Sequence, residues 1–403
     1  MSSAEPHKTP FYVAVFVDGV GSHSRGVLRG IGRYQDELPH PWSLLPVRRR
    51  RFEMPPFCLK SWARQGNGII ATVDSPEVEL ALHTCGLPAV NLSGALEKPA
   101  FPTCIQDPEQ AARMAVDVFC ERGFSYFAFV GFEGMRCSVE RAHYFKSLLE
   151  ERGLPCVELT FSIKDMRADR VGALITTWLR RVPQPLALWA CDDEMALHVV
   201  NACLRAGIRV PEQVAVLGMD NDEMLCEAAT PPISSITSNG EEIGYRAARR
   251  LHRLMNGEPD DEPQVVTVPP RSVRLRRSTD IHAVDDPHVA KALRIIEQEA
   301  CSGLRVVDLI AQVPVARRLL ERRFKAALGR TLLQEIWRVQ CRHAAELMES
   351  TKLPMLDIAE RCGYEHPEHF SVVFKKVMGL PPGAYRNQHR LSKRAFRLSA
   401  RVP

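Results

Sequence analysis

The sequence of 403 residues predicts an α/β core of two lobes followed by an all-α domain built on two helix-turn-helices. Strand-like apolar runs alternate with helical stretches through the first two thirds of the chain. A short helical pattern is written twice between Leu304 and Arg386. Charge divides unevenly: residues 286–403 hold 21 Lys+Arg against 12 Asp+Glu, a net +9, whereas residues 1–285 carry −4. The length suits two or three domains, and 45% hydrophobic with 25% charged residues is a globular composition.

Taken in order, Phe11 to Val17 is a continuous apolar run and reads as a buried strand. Gly19, Gly21 and Ser22 form the loop after it, and Arg25 to Glu37 is helical, with Val27, Leu28, Ile31 and Tyr34 on one side. Strands follow near Trp42–Val47, Gly68–Ala71 and Ala89–Leu92. A second half starts near Asp107, with helices over Glu109–Arg122, Ser138–Arg152 and Asp193–Ala206. Its strands are Tyr126–Gly131, Leu186–Ala190 and Val214–Gly218, the last followed by the loop Met219-Asp220-Asn221-Asp222. Such alternation implies mostly parallel sheets covered by helices on both faces, here two lobes with a cleft between them. Near Pro231-Pro232 the chain leaves the second half, and Glu241 to Met255 gives a last helix.

These readings place the core at 10–270, with lobe 1 at about 10–105 plus 233–258 and lobe 2 at about 106–232 plus 259–270. Residues 271–287 read as a linker, 288–388 as the helical domain and 389–403 as a basic tail. Twelve cysteines are scattered without a Cys-x-x-Cys pair, so reduced structural thiols are expected, with no metal and no cofactor. The first ten residues lack the basic start and apolar core of a signal peptide, and no run of about 18 apolar residues occurs. A cytoplasmic protein without a membrane partner is the expectation.

In the repeat, Asp308-Leu309-Ile310-Ala311-Gln312-Val313 precedes Arg317 to Lys325 and Gly329. Asp357-Ile358-Ala359-Glu360-Arg361-Cys362-Gly363 precedes His369 to Lys376 and Gly379. The shared close is Phe-Lys-x-x-[Leu/Met]-Gly, 50 positions apart. Each copy is a short helix, a turn and a second helix whose apolar residues share one face, leaving the other free for a DNA groove. The excess positive charge lies with this pair, as a footprint for phosphate would. The run Arg48-Arg49-Arg50-Arg51 reads instead as a solvated strand end.

Residues 304–386 closely resemble the AraC-type DNA-binding domain. The resemblance rests on Ile358-Ala359-Glu360-Arg361-Cys362-Gly363-Tyr364, Phe370-Ser371-Val372-Val373-Phe374-Lys375-Lys376 and Gly379-Leu380-Pro381-Pro382-Gly383-Ala384-Tyr385-Arg386. It implies two recognition helices in successive major grooves, joined by a long helix at about Thr331–Ser350. The first copy departs from that pattern, with Pro314 where the turn usually holds Gly and Ala316 where a capping Ser is usual; losing such a cap costs about 1 kcal/mol.

The first 285 residues resemble the core of lac-repressor-type regulators and periplasmic sugar receptors, which implies a periplasmic-binding-protein-like (type I) fold. The segments carrying this are Trp189-Ala190-Cys191-Asp192-Asp193-Glu194-Met195-Ala196, Val214 to Asp222, Ser234-Ser235-Ile236, and Pro269-Pro270-Arg271-Ser272-Val273 running into Arg277-Ser278-Thr279-Asp280. A core of this kind followed by an AraC-type domain is similar to the xylose operon regulators over nearly the whole chain.

A sugar site needs planar donors and carboxylate acceptors. Carried over by motif position, Arg141 donates to adjacent hydroxyls while Asp192 and Asp220 accept; both carboxylates stand at carboxyl ends of strands, where open α/β sheets bind ligands. Asn91, Ser22 and Arg25 are further candidates from lobe 1. Asp193 reads as a helix cap, and Asp222 and Glu223 as solvated loop charges. The loop Asp18-Gly19-Val20-Gly21-Ser22-His23 differs from the aromatic-containing segment usual in the resembling family.

On the DNA side, Arg317, Arg318, Glu321 and Arg322 project from the first recognition helix. Arginine can pair with guanine and glutamate with cytosine. His366, Glu368, His369 and Val372 are base-facing candidates in the second, with Lys375 and Lys376 on phosphate. The implied function is a homodimeric, double-stranded-DNA-binding regulator that answers a monosaccharide such as D-xylose and activates sugar-catabolism genes, with RNA polymerase as a further partner. A regulator of another small metabolite, a sugar-transport receptor and a sugar-active enzyme are the alternatives. No Gly-x-Ser-x-Gly elbow, Walker loop or His-Glu-x-x-His supports the enzyme.

Overall fold

The computed structural model describes residues 10–17, 21–48, 62, 64–162, 168–281 and 286–387, which fall into two units that meet in sequence near residue 281. The loop 18–20, most of the run Arg48–Arg51 and the basic tail lie outside the described residues.

The first unit holds two six-stranded sheets, one per lobe. In lobe 1 the order is β11 (Val265–Val268), β5 (Thr103–Gln106), β4 (Ala89–Asn91), β3 (Gly68–Ala71), β1 (Tyr12–Val17), β2 (Ser43–Arg48), with parallel pairing throughout. The period of two along β1 divides its core. Val13, Val15 and Val17 pack with Val27 and Ile31 of α1 (Ser22–Gln35) and with Ile243, Ala247 and Leu251 of α8 (Gly240–Met255). Ala14 and Phe16 face Val78 and Leu82 of α2 (Pro76–Cys85). Helices α1 and α8 approach backbone to backbone: a Cβ on Gly30 would lie 1.9 Å from the Glu241 carbonyl oxygen, and one on Gly244 would lie 2.1 Å from that of Val27.

Lobe 2 is ordered β12 (Ser272–Arg274), β10 (Ser234–Thr237), β9 (Val214–Met219), β8 (Leu186–Ala190), β6 (Tyr126–Glu133), β7 (Cys156–Ser162). All neighbours run parallel except β12 against β10. Phe129 and Phe145 meet Trp189 edge-on at 5.4 and 5.3 Å between centroids. The helices are α3 (Pro108–Cys120), α4 (Arg136–Glu150), α5 (Ala168–Leu179), α6 (Asp193–Ala206) and α7 (Glu223–Ala228).

Two expected boundaries are corrected. The stretch 233–258 is not all lobe 1, because β10 pairs with β9 of lobe 2 and only α8 returns to lobe 1. The stretch 259–270 belongs to lobe 1 rather than lobe 2, since β11 pairs with β5. The chain therefore crosses between lobes three times, after β5, after β10 and after β11. Residues 271–281 are also not linker: β12 completes the second sheet, and Ser278 and Thr279 are fully buried. Ser278 Oγ donates to the Val216 carbonyl at 2.6 Å, and Arg276 ties the segment to Asn221 and Glu227.

The second unit contains α9 (Pro287–Glu299), α10 (Val306–Gln312), α11 (Arg317–Leu328), α12 (Leu332–Ser350), α13 (Met355–Arg361) and α14 (Pro367–Met378). One core joins Leu293 and Ile296 of α9 to Leu309, Leu320, Phe324 and Ile336. A second joins Cys341, Ala344 and Met348 of α12 to Ile358, Phe370, Val373 and Phe374. Helix α12 thus contributes its first half to one helix-turn-helix and its second half to the other. A capping box between Thr331 and Gln334 starts it.

Candidate functional site

Parallel strands deliver side chains to a cleft at their carboxyl ends, where strand order reverses. The reversals here lie beside β1 in lobe 1 and beside β6 in lobe 2. Ser22 and Arg25 open the helix after β1, Asp192 follows β8, and Asp220 follows β9. Helix α4, which leads on from β6, supplies Arg141.

Arg141 donates to the Cys191 carbonyl at 2.6 Å. Burial works to lower its pKa, but the nearby Cys137, Asp220, Cys191 and Asp192 outweigh that and hold it above the ordinary arginine value. One guanidinium thus shares its surroundings with both carboxylates expected to accept from hydroxyls. Asp192 has a second role: its Oδ1 accepts the Met195 N–H at 2.8 Å and caps α6.

Asp193, expected to be the cap, is buried one position further on. Its carboxylate accepts from the Asp222 N–H at 2.6 Å and from the Ser235 hydroxyl at 2.6 Å. Burial pushes its pKa up to about 8, against the pull of the Ser235 bond. Gly218 leaves room for it, since a Cβ there would stand 2.2 Å from Asp193 Oδ1. Asp220 and Asn221 both adopt positive φ, 96° and 50°. Such conformations cost of order 1 kcal/mol each in non-glycine residues. Bonds from the Asp220 N–H to the Ile236 carbonyl and from the Asn221 N–H to Ser235 Oγ hold the loop there.

Asp222 is likewise no solvated charge. It is buried, caps α7 through the Met224 N–H, and spans the two lobes: its Oδ2 accepts from the Ser22 N–H at 3.0 Å and from Arg25 Nη2 at 3.2 Å. Ser22 Oγ adds a 2.7 Å bond to the Asp220 carbonyl. Ser22 and Arg25 therefore clasp lobe 1 to the Asp220 loop rather than standing free in the cleft. Glu223 is exposed, as expected. On another edge Arg136 Nη1 donates to the Leu96 carbonyl at 2.7 Å, a second point of contact between the lobes. A polar cavity of about 310 Å³ lies beside the clasp, lined among others by Arg29, Thr237, Ser238 and Arg271.

Asn91 does not join the group. It is fully buried, and its amide bonds to the Val73 and Ser93 backbone and to Thr103 Oγ1, all within lobe 1. Its role is to fix the turn after β4. The residues that sequence reasoning missed are Asp193, Asp222 and Ser235. The available signal was the Asp-Asn-Asp run directly after a strand, with Asp222 in capping position before a helix.

In the second unit Pro314 drives Val313 into an extended conformation, φ −109° and ψ 121°, so the first turn is built without the left-handed residue that Gly363 supplies in the second. A Cβ on Gly363 would stand 2.8 Å from the Gly303 nitrogen, so that glycine answers both to φ and to space. Ala316 makes no side-chain cap, yet α11 forms and ends on the left-handed Gly329.

Leu320 and Phe324 fix the inward face of α11, so Arg318 and Arg322 stand outward, exposed and one turn apart. Arg317 pairs along the helix with Glu321 at 3.0 Å. On α14, Glu368, Val372 and Lys375 are exposed opposite Phe370 and Phe374. His366 and His369 are exposed on the flank, His369 edge-on to Tyr364 at 5.7 Å. Lys376 Nζ stands 5.1 Å from the Trp337 ring centroid, which draws it toward α12.

Among the described residues, no helix is long and apolar enough to cross a membrane and no cluster of His, Cys, Asp or Glu could hold a metal ion. Residues 116–279 match the periplasmic binding protein-like domain family, and residues 309–388 match a helix-turn-helix domain family. The xylose operon regulatory protein of Escherichia coli strain K12 is 30% identical over 374 residues, covering 91% of this chain and 94% of its own. The protein of that name from Haemophilus influenzae is 29% identical over 389 residues, covering 93% and 98%. The solved structure of a xylose-binding transcription activator superposes with a TM-score of 0.60 at 28% identity, over 94% of this chain and 98% of that one.

Proposed function

The chain belongs to the family of xylose operon regulatory proteins, and from that premise we propose that it is a sugar-responsive, DNA-binding transcription regulator with D-xylose as its effector. The observation that supports a sugar is the convergence of a cationic donor, Arg141, with the carboxylates of Asp192 and Asp220 at strand ends of lobe 2. A guanidinium donates to neighbouring hydroxyls, and carboxylates accept from them. Such a set holds a neutral polyol without burying a net ligand charge.

Ser22 and Arg25 act on the closed arrangement of the lobes rather than as first contacts to the sugar. Ligand that bridges lobe 2 to lobe 1 favours the closed state by its differential affinity for that state, and the clasp at Asp222 adds to the same side. In this reading the protein is a homodimer whose geometry changes with closure, the paired DNA-binding units gain their operator fit, and transcription of sugar-catabolism genes by RNA polymerase rises. Arg318, Arg322, Glu368 and Val372 face bases, while Lys375 contacts phosphate.

Calorimetric titration against a panel of pentoses and hexoses tests the proposal. Saturable heat with D-xylose, stronger than with the other sugars, is expected. Heat only with a different monosaccharide would move the effector assignment, and no response to any would remove the sugar.

A further inference from the structure

The two recognition helices present opposite chemistry at matched positions. The repeat superimposes Leu320 on Phe370 and Phe324 on Phe374, all four fully buried, so positions 50 apart occupy the same place on each helix. Arg318 then corresponds to Glu368, and Arg322 to Val372. Arg318 and Arg322 are exposed at i, i+4, and Glu321 is already engaged by Arg317. On α14 the same two places carry an exposed carboxylate and a valine that is 66% exposed.

We infer that α11 reads guanines, whereas α14 reads a C·G pair and a thymine methyl, so that each half-site is chemically asymmetric. This rests on the DNA-reading function proposed above and goes further by assigning base classes to positions. Each arginine can fork onto guanine O6 and N7. A carboxylate in the first turn of a DNA-facing helix meets a field of phosphates and is repelled unless a base donor compensates it. The amino donors of the major groove are cytosine N4 and adenine N6, and adenine sets its N7 acceptor beside the amino group, so a carboxylate selects cytosine. An exposed valine offers no hydrogen bond, and the apolar feature of the groove is the thymine C5 methyl.

Helix α12, which links the two modules, has 19 residues and is therefore about 28 Å long. That approaches the ~34 Å of one turn of B-DNA. The guanine element and the C/T element are thus separated by about 10 base pairs.

The test uses the full-length protein with saturating D-xylose. A site is selected from randomised duplexes, and anisotropy titrations follow on derivatives altered at single bases. Replacing the critical thymine by deoxyuridine removes only the methyl group and should weaken wild-type binding about four-fold, the worth of one buried carbon. Val372→Ala should make the protein indifferent to that replacement while its guanine preferences stay. Replacing a guanine by 7-deazaguanine in the other element should weaken wild type about ten-fold and Arg322→Ala much less. Glu368→Gln should shift preference at one pair from C·G toward A·T, because glutamine pairs with adenine. A selected site bound tightly yet unaffected by every deoxyuridine replacement, or a preference under α14 that Glu368→Gln leaves unchanged, would overturn the inference while leaving DNA reading intact. Failure to select any sequence would overturn both.

Discussion

The carboxylate of Asp193, buried beneath the cleft, accepts the backbone N–H of Asp222 at 2.6 Å, and Asp222 in turn bridges to Ser22 and Arg25 of the other lobe. A single buried acid in lobe 2 therefore positions the group that clasps lobe 1.

Replacing Asp193 separates shape from charge. Asp193→Ala leaves the Asp222 N–H and the Ser235 hydroxyl without their partner, at about 1–3 kcal/mol each, and should lower the melting temperature by several degrees. Asp193→Asn can still accept from Asp222 and donate to Ser235 Oγ, so its loss should be much smaller. With a folded pKa raised to about 8, Asp193 holds a proton in the native state that the unfolded chain gives up near pH ~4. Its contribution is full below that value and is lost as pH rises toward 8. Stability measured by urea unfolding from pH 5 to 8 should fall less steeply in Asp193→Asn than in wild type; identical slopes would show that Asp193 does not titrate there.

Asp222→Asn keeps an acceptor for the α7 cap but turns an amide NH2 toward the Ser22 N–H and Arg25, so both clasp bonds to Oδ2 and the charge facing Arg25 are lost. Partly exposed pairs of this kind contribute up to about 1 kcal/mol. Effector affinity should drop about five-fold, with little change in melting temperature. Unchanged affinity would separate the clasp from ligand binding.

Arg141→Gln removes the cation between Asp192 and Asp220. A hydrogen bond to a charged group is worth about 1.5–3 kcal/mol, so effector affinity should fall by one to two orders of magnitude. Calorimetry on this variant checks it, with Asn91→Ser as the contrast: that change should loosen lobe 1 and lower its melting temperature without a comparable loss of affinity in the folded protein.

Glu335 is fully buried near the start of α12 between Arg330 and Arg338. Burial would raise its pKa, but bonds to the two guanidiniums overcome that and lower it. Its stabilisation is present above the unfolded value near pH ~4.3 and disappears as pH falls through the depressed folded value. Glu335→Gln leaves two partly buried arginines short of a counter-charge and should cost about 3 kcal/mol. Thermal denaturation at pH 7 reads that loss, and the variant's stability should depend less on pH below 4.

The elements that were legible in the sequence are those whose pattern is local. Gly68–Ala71 and Asp193–Ala206 fall where periodicity and flanking turns put them, and the repeat around Phe324 and Phe374 revealed both helix-turn-helices. Strand β7 was missed because it is an edge strand with exposed Glu158 and Val157 and no clean alternation. The exchange of β10 and β11 between lobes was not legible, because a strand of four residues does not announce which sheet it will join. The clasp depends on partners about 200 positions apart. The sequence reading gives Asp193 the cap that Asp192 makes, since adjacent acids at a helix start look alike until burial separates them.

The claim that sugar in the cleft governs reading of DNA is tested most directly by operator affinity of the purified full-length protein with and without saturating D-xylose. Coupling free energies of this kind are about 1–3 kcal/mol, so the account predicts at least a five-fold shift in Kd that Arg141→Gln abolishes. Tight, sequence-specific binding that is the same at every D-xylose concentration would contradict it.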